Sequence, residues 1–510
     1  MGGSGSKRGK GRAGVIGSVI SAADESCAES RQAAHGTVWV DGKCAVAELL
    51  TAAGLKRLEA NSRPGSSDVV IRLSGAGEGI VRTEAGASAA GHAEAWTWNA
   101  KAGAVGSLAP AELDRRLLRE GLSAAIRSGA PVGGNAGWRR GDEPRGTLRV
   151  PSRTYVVTVF GLAAPIVRPA PGEHASGREL VRRLGRASAR ALYALGLELG
   201  TVTWQVDGSG RRGVIVGLDA AIGVTDEPGG RSLCEAASAF VAAWSEEAAE
   251  GMLEALIGAD PEFVMLTDAG RIVPASRYFG PGERTGSDSV VVRGVQRWPL
   301  AELRPRPARD PAVLAQRIRR LLQDASARTA GAGLRWRAGA APVKGLPLGG
   351  HLHFSGLALT AERLRALDNA LALPLRLLEP AGAGRRRPRY GALGDFRSKS
   401  HGGFEYRTPP SWLVSPRLAL GVLSLAKLAA EHARELSGSR PLDDDGLRDA
   451  FYEGRTAPLR RAAAAVRGAL ESLPAYARYG EAIGFLFDAI EAGKVWDESE
   501  DIRRRWRIPE

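Results

Sequence analysis

RPRYGALGDFRSKSHGGFEYRTPPSWL, residues 387–413, decides how the rest of this chain is read. It closes on a short strand pattern over Gly403–Arg407, with Glu405 and Arg407 at positions i and i+2. Strand side chains alternate faces, so both point to one side of a sheet and Tyr406 to the other. The same spacing occurs three times upstream. His351 and His353 stand in G-G-H-L-H-F, Glu302 and Arg304 in A-E-L-R-P, and Asp260 and Glu262 in G-A-D-P-E-F. The intervening Leu303, Leu352 and Tyr406 are apolar or aromatic, as a buried opposite face requires. A sheet that merely met water would carry Thr, Lys, Ser and Gln at the outward positions. Asp, Glu, His and Arg stand there instead.

Those side chains suit divalent metal and phosphate. Magnesium takes hard oxygen ligands, which Glu262, Glu302 and Glu405 supply as carboxylates. His353 completes such a site or hydrogen-bonds a phosphate oxygen. Arginine offers forked donors to phosphate and carboxylate, which marks Arg304 and Arg407. The cluster Arg385–Arg389 lies beside these motifs, where anionic phosphates would need it. Phosphoryl transfer rests mainly on positioning and charge neutralisation, and a groove lined this way provides both.

Composition sets the frame. A chain of 510 residues with 44% apolar content suggests two or three domains with ordinary cores. No apolar run reaches the length of a membrane span, and Met1–Arg12 reads as a disordered Gly/Ser/Lys tail without a signal-peptide core. Cys27, Cys44 and Cys234 are odd in number and widely spread, which points to a reducing cytoplasm. Cys44 and Cys234 read as small core residues. The net charge of +14 raises nucleic acid as a partner. Its even spread along an Ala/Gly/Arg-rich chain argues against that.

Strand patterns at Thr37–Val40, Asp68–Leu73, Tyr155–Phe160 and Gly213–Leu218 alternate with helical ones at Ala111–Ser128 and Gly177–Leu195. A turn is expected at Glu227–Arg231, then a helix from Leu233 to Ile257. Strands follow at Phe263–Leu266, Ser289–Val292, Ala301–Arg304, Gly350–Phe354 and Gly403–Arg407, with helices at Pro311–Arg328 and Thr360–Leu378. Beyond Pro416 the pattern is helical, at 417–435, 445–453, 456–472 and 475–493. The acidic run Asp443–Asp445 is placed to cap a helix. Trp336 and Trp412 read as core or rim aromatics.

In this order, the motifs from Gly258 to Arg417 resemble the phage-type COOH–NH2 ligases of the glutamine synthetase-like amidoligase superfamily. The resemblance implies an α+β protein whose catalytic domain is a curved antiparallel sheet with a helical C-terminal segment. It also implies ATP and one or two Mg2+ ions, with metal on Glu262, Glu302, Glu405 and His353. His351, His353 and Arg407 would meet ATP phosphates. Arg304, Arg389, Arg397 and Arg407 would neutralise the charge of an acyl-phosphate step that joins a small-molecule or peptide carboxylate to an amine. Relatives carry a glycine/aspartate loop within Gly286–Leu300, of which Gly286 and Asp288 remain, so Asp288 is a further candidate.

Tyr155–Gly161 and Ala187–Gly200 look like the C-terminal lobe of an ATP-grasp domain, with Asp219 at a metal-binding position. No lysine occurs between Lys101 and Lys344, so the phosphate-binding lysine of a complete ATP-grasp is missing. A degenerate ATP-grasp-like α/β domain and an unrelated α/β domain both fit. The expected divisions are a disordered basic tail (1–35), the α/β domain (36–228), the ligase domain (250–440) and a helical extension (441–510). A homo-oligomer is left open. A metal-dependent phosphohydrolase or nuclease would use the same acids, and a non-catalytic phage or structural protein is a third reading. The ligase reading requires Glu262, Glu302 and Glu405 to converge on one face.

Overall fold

The computed structural model describes residues 36–42, 44–65, 67–73, 95–126, 152–170, 177–224, 226–249, 254–292, 294–400 and 402–509. The tail 1–35 with Cys27, and the end of the helix expected over Ala111–Ser128, lie outside them. Among the described residues no helix is long and apolar enough to cross a membrane.

The chain forms three sheets. The first is parallel, in the order β2 (Lys56–Arg57), β1 (Val38–Asp41), β3 (Val69–Arg72), β4 (Trp96–Trp98). The second is antiparallel, in the order β6 (Ala163–Pro169), β5 (Ser152–Phe160), β7 (Leu199–Asp207), β8 (Gly213–Asp219). The third has eight antiparallel strands. Its path runs β11 (Thr285–Val292), β12 (Val295–Leu303), β9 (Leu256–Leu266), β14 (Gly350–Ser355), β16 (Phe404–Tyr406), β15 (Phe396–Ser398), and the short β10 (Ile272–Val273) and β13 (Arg335–Arg337) pair with β9. The protein is thus of mixed α and β type, its first half split between a parallel and an antiparallel sheet.

Three expected boundaries move. Glu227–Arg231 is not a turn but the start of a helix, Glu227–Ala249, because proline fits a first helical turn, where no N–H is required. Ile257 belongs to β9, not to that helix. The helix expected from Ala111 runs Pro110–Arg119 and stops because Gly121 takes a positive φ of +76°. Elsewhere Pro311–Arg328 is helical as read, and Asp444 accepts from the Leu447 N–H as the cap of the helix Asp445–Glu453.

Alternation in the third sheet separates core from site. Ile257, Ala259, Phe263 and Met265 of β9, Leu352 and Phe354 of β14, and Phe404 and Tyr406 of β16 enter the main core. There Phe354 stacks on Phe404, and Phe263 on the fully buried Trp336. Trp412 is also fully buried and bonds the Gly350 carbonyl. The helices Pro311–Arg328 and Pro416–Glu431 cover this face, contributing Leu314, Ile318, Leu418 and Val422 to the core. The acids of the intervening positions therefore share the opposite face.

The Arg-rich run is largely structural. Arg387 is buried and forks onto Glu379 at 2.8 and 2.6 Å, with Arg376 3.5 Å from the same carboxylate. Arg386 is buried on the carbonyls of Leu348 and Tyr390, and burial pushes its pKa down to about 10. Glu379→Ala strands two buried guanidinium groups and is expected to cost about 3–5 kcal/mol in urea melts. Arg389→Ala, at an exposed position, should stay within about 0.5 kcal/mol of the parent.

Candidate active site

Strand register sets a row of polar side chains across the third sheet. Glu302 of β12 pairs with Glu262 of β9, Asp260 of β9 with His351 of β14, and Glu405 of β16 with both His353 and Arg397. Like charges directly opposite each other repel, so the Glu262–Glu302 pair is a structural cost wherever both are ionised.

Two groups of ligand atoms form in this row, each with its atoms within 4.8 Å of one another. One is Glu262, Asp288 and Glu302; the other is Asp260, His351 and Glu405. The three glutamates thus share one face but divide between two adjacent groups, which replaces the single convergence expected of them. His351, not His353, enters the second group. His353 Nε2 lies 3.0 Å from Asp260 Oδ2.

The first group is three carboxylates with Arg304 as their ion-pair partner, on Glu302. Arg304 also donates to the Glu283 carbonyl at 3.0 Å. It can lie there because residue 286 is glycine; a Cβ would fall 2.1 Å from its Nη1. Glu262 is buried and accepts from the Gly349 N–H at 2.7 Å. Burial, with Asp288 and Asp260 adding to it, pushes its carboxyl up to about 7. Ser287 Oγ is buried without a hydrogen-bond partner, while Glu302 Oε2 faces Arg304 and Asp260 Oδ1 lies 3.1 Å from His351 Nδ1. Three carboxylates crowded within 4.8 Å of one another are a donor set that fits a hard divalent cation.

Glu405 has the opposite surroundings. Lys399 donates to it at 2.5 Å, Arg397 lies 3.3 Å away, Arg407 3.1 Å and His351 3.5 Å. Burial opposes its charge, but the Lys399 bond and the nearby cations hold its carboxyl below the ordinary range. Asp260 is likewise held well below its usual value, against burial, by His351 and His353. Arg389 is not brought to either group; it is exposed and its guanidinium lies over Tyr390. The sequence reading missed Lys399. It stands at i+2 from Arg397, one residue past the end of β15, the same spacing that marked the other pairs.

Behind the row, Asp368 anchors β16, which carries Glu405 and leads into Arg407. It lies in a π-helical turn, Asp368–Ala372, between the helices Ala361–Leu367 and Leu373–Leu378. The ladder loosens where Pro374 cannot donate to residue 370. Asp368 accepts from Tyr406 and Tyr193 at 2.7 Å each, and from the Gly394 N–H at 3.0 Å. Burial pushes its carboxyl up to about 6 from an ordinary 3.8. Between those values the folded chain holds a proton that the unfolded chain has released. Stability from this group is therefore full below about pH 4 and lost as pH rises to about 6. Relative to Asp368→Asn, the parent should lose about 3 kcal/mol across that window in denaturant melts, and equal pH slopes would contradict this.

Residues 257–508 match the family described as phage phiEco32-like COOH.NH2 ligase type 2. No curated protein matches the chain. Among solved structures it is similar to one titled apo GmaS without ligand, at 15% identity over 69% of this chain and 96% of that one, with a TM-score of 0.28. Another is the multifunctional pyruvate carboxylase from Rhizobium etli, at 13% identity over 65% of this chain and 38% of that one, with a TM-score of 0.22.

Proposed function

We propose, from the match of residues 257–508 to a COOH.NH2 ligase family, an ATP- and magnesium-dependent amide synthesis through an acyl phosphate. The observation that carries the proposal is the polar row. Two ligand groups lie side by side on one sheet face, flanked by Arg304 at one end and by Lys399, Arg397 and Arg407 at the other.

Glu262, Asp288 and Glu302 would hold one Mg2+, and Asp260, His351 and Glu405 a second. When bound, such ions neutralise phosphate oxygens and oppose the repulsion of an incoming carboxylate. The chain's own cations do the rest. Arg407 and Arg397 meet phosphate oxygens by swinging from Glu405, which keeps both guanidiniums poised beside the reacting groups. His353, held on Asp260, stands beside the same phosphates. A substrate carboxylate oxygen attacks the γ-phosphorus, and ADP leaves. The amine then attacks the acyl carbon and phosphate departs, which leaves an amide. Cations held beside oxygens that gain charge stabilise both steps. Arg389 has no part in this scheme. The substrates are a small-molecule or peptide carboxylate and an amine, and residues 36–228 act as an ATP-grasp-like accessory rather than a second active ligase.

An isotope experiment tests the route. With a carboxylate–amine pair found by mass shift, 18O in the carboxylate should appear in released phosphate, with ADP as the other product. Label in AMP would contradict an acyl phosphate.

A further inference from the structure

A cavity of about 550 Å3 lies between the helix Arg178–Leu195 with β6 on one side and β15 with its preceding loop on the other. Its walls include six arginines: Arg182, Arg183, Arg186 and Arg190 from the helix, and Arg397 and Arg407 from the polar row. Against them stand two carboxylates, Glu179 and Asp395. Glu179 is already paired with Arg182 at 2.5 Å. Arg190 Nε is buried without a hydrogen-bond partner, its Nη2 donating to the Glu120 carbonyl, while Arg407 Nε faces Glu405 Oε1 at 3.1 Å. Arg186 is exposed and has no hydrogen-bond or ion-pair partner among the described residues. Six guanidiniums against two carboxylates, with Arg190 Nε buried and unpaired and Arg186 uncommitted, call for oxyanions in this space.

The remaining wall is apolar, with Leu162, Val167, Val181 and Phe396. A bare polycarboxylate has nothing to place against it. A nucleotide has both parts, a base for the apolar wall and phosphates for the arginines, and the volume is of the size that small-molecule sites use. Arg397 and Arg407 join the cavity to Glu405, so phosphates held here reach the reacting face directly.

We propose that the helix Arg178–Leu195 supplies one wall of the nucleoside triphosphate site, with Arg186 and Arg190 binding its phosphates. This rests on the ligase reading and adds a contribution from outside residues 257–508. The first half of the chain would then lend cations to the ligase site rather than house a nucleotide site of its own.

The test is calorimetric titration of the full chain with Mg2+ and the non-hydrolysable analogue AMP-PNP. Arg186→Glu should weaken binding about tenfold or more, and Arg186→Lys much less. Arg461→Glu, at an exposed position on the helix Thr456–Glu471, makes the same charge change elsewhere and should leave affinity as in the parent. Equal affinity in Arg186→Glu and the parent would overturn the inference and leave the ligase reading standing. So would loss of binding for tetraglutamate rather than AMP-PNP, which would make the cavity a carboxylate site. A parent that does not bind AMP-PNP would overturn both.

Discussion

Glu405→Ala is expected to lower ATP-dependent amide formation by about a thousandfold while also loosening the fold. Glu405 is almost fully buried, and Lys399, Arg397, Arg407 and His351 converge on it. Without it, the cations that should meet phosphate lose the anchor that keeps them apart and aimed. One ligand of the second metal group also goes. Breaking a buried pair leaves uncompensated charge, but these cations are partly solvated, so the stability cost is put at about 1–3 kcal/mol. Glu405→Gln keeps a hydrogen-bond acceptor for Lys399 and should melt closer to the parent, yet remain inactive. ADP release and thermal melts read the two effects separately. Activity in Glu405→Gln near that of the parent would remove the charge from the account.

Glu262→Gln should have the opposite effect on stability and a similar one on activity. Glu262 faces Glu302 directly across the strands, with Asp288 in the same group and Arg304 committed to Glu302. An amide removes one buried like charge and still accepts from the Gly349 N–H. The metal-free variant should therefore be more stable than the parent by about 1–2 kcal/mol, because the repulsion is relieved. Ligation should fall by about a hundred- to a thousandfold. Added MgCl2 should raise the melting temperature of the parent more than that of the variant, since only the parent keeps the full ligand set. A variant less stable than the parent in EDTA would mean that this carboxylate is not held under repulsion.

What the sequence made legible followed from local periods. The i, i+2 pairs could be read because strand alternation needs no knowledge of partners, and all four pairs meet in the third sheet. Register was not legible, since it is fixed by strands far apart in the chain. Thus Glu262 and Glu302 fall together while Glu405 joins Asp260 and His351. Asp288 stood out only weakly, because its neighbours are small and polar. Arginine is equally silent about its surroundings. Arg387 and Arg389 look alike in R-P-R-Y, yet one is buried on Glu379 and the other is exposed. Asp368 hid inside an otherwise apolar helical pattern, where nothing local announces two tyrosines approaching from other elements.

The account's central claim is that this polar row joins a carboxylate to an amine at the expense of ATP. The measurement is turnover of Mg-ATP by the full chain with panels of carboxylates and amines, read as ADP and as product mass. The predicted result is ADP release that needs both partners, with a product lighter than their sum by one water and no turnover in Glu405→Gln. Metal-dependent cleavage of DNA or a simple phosphoester without ATP, and no condensed product, would contradict it.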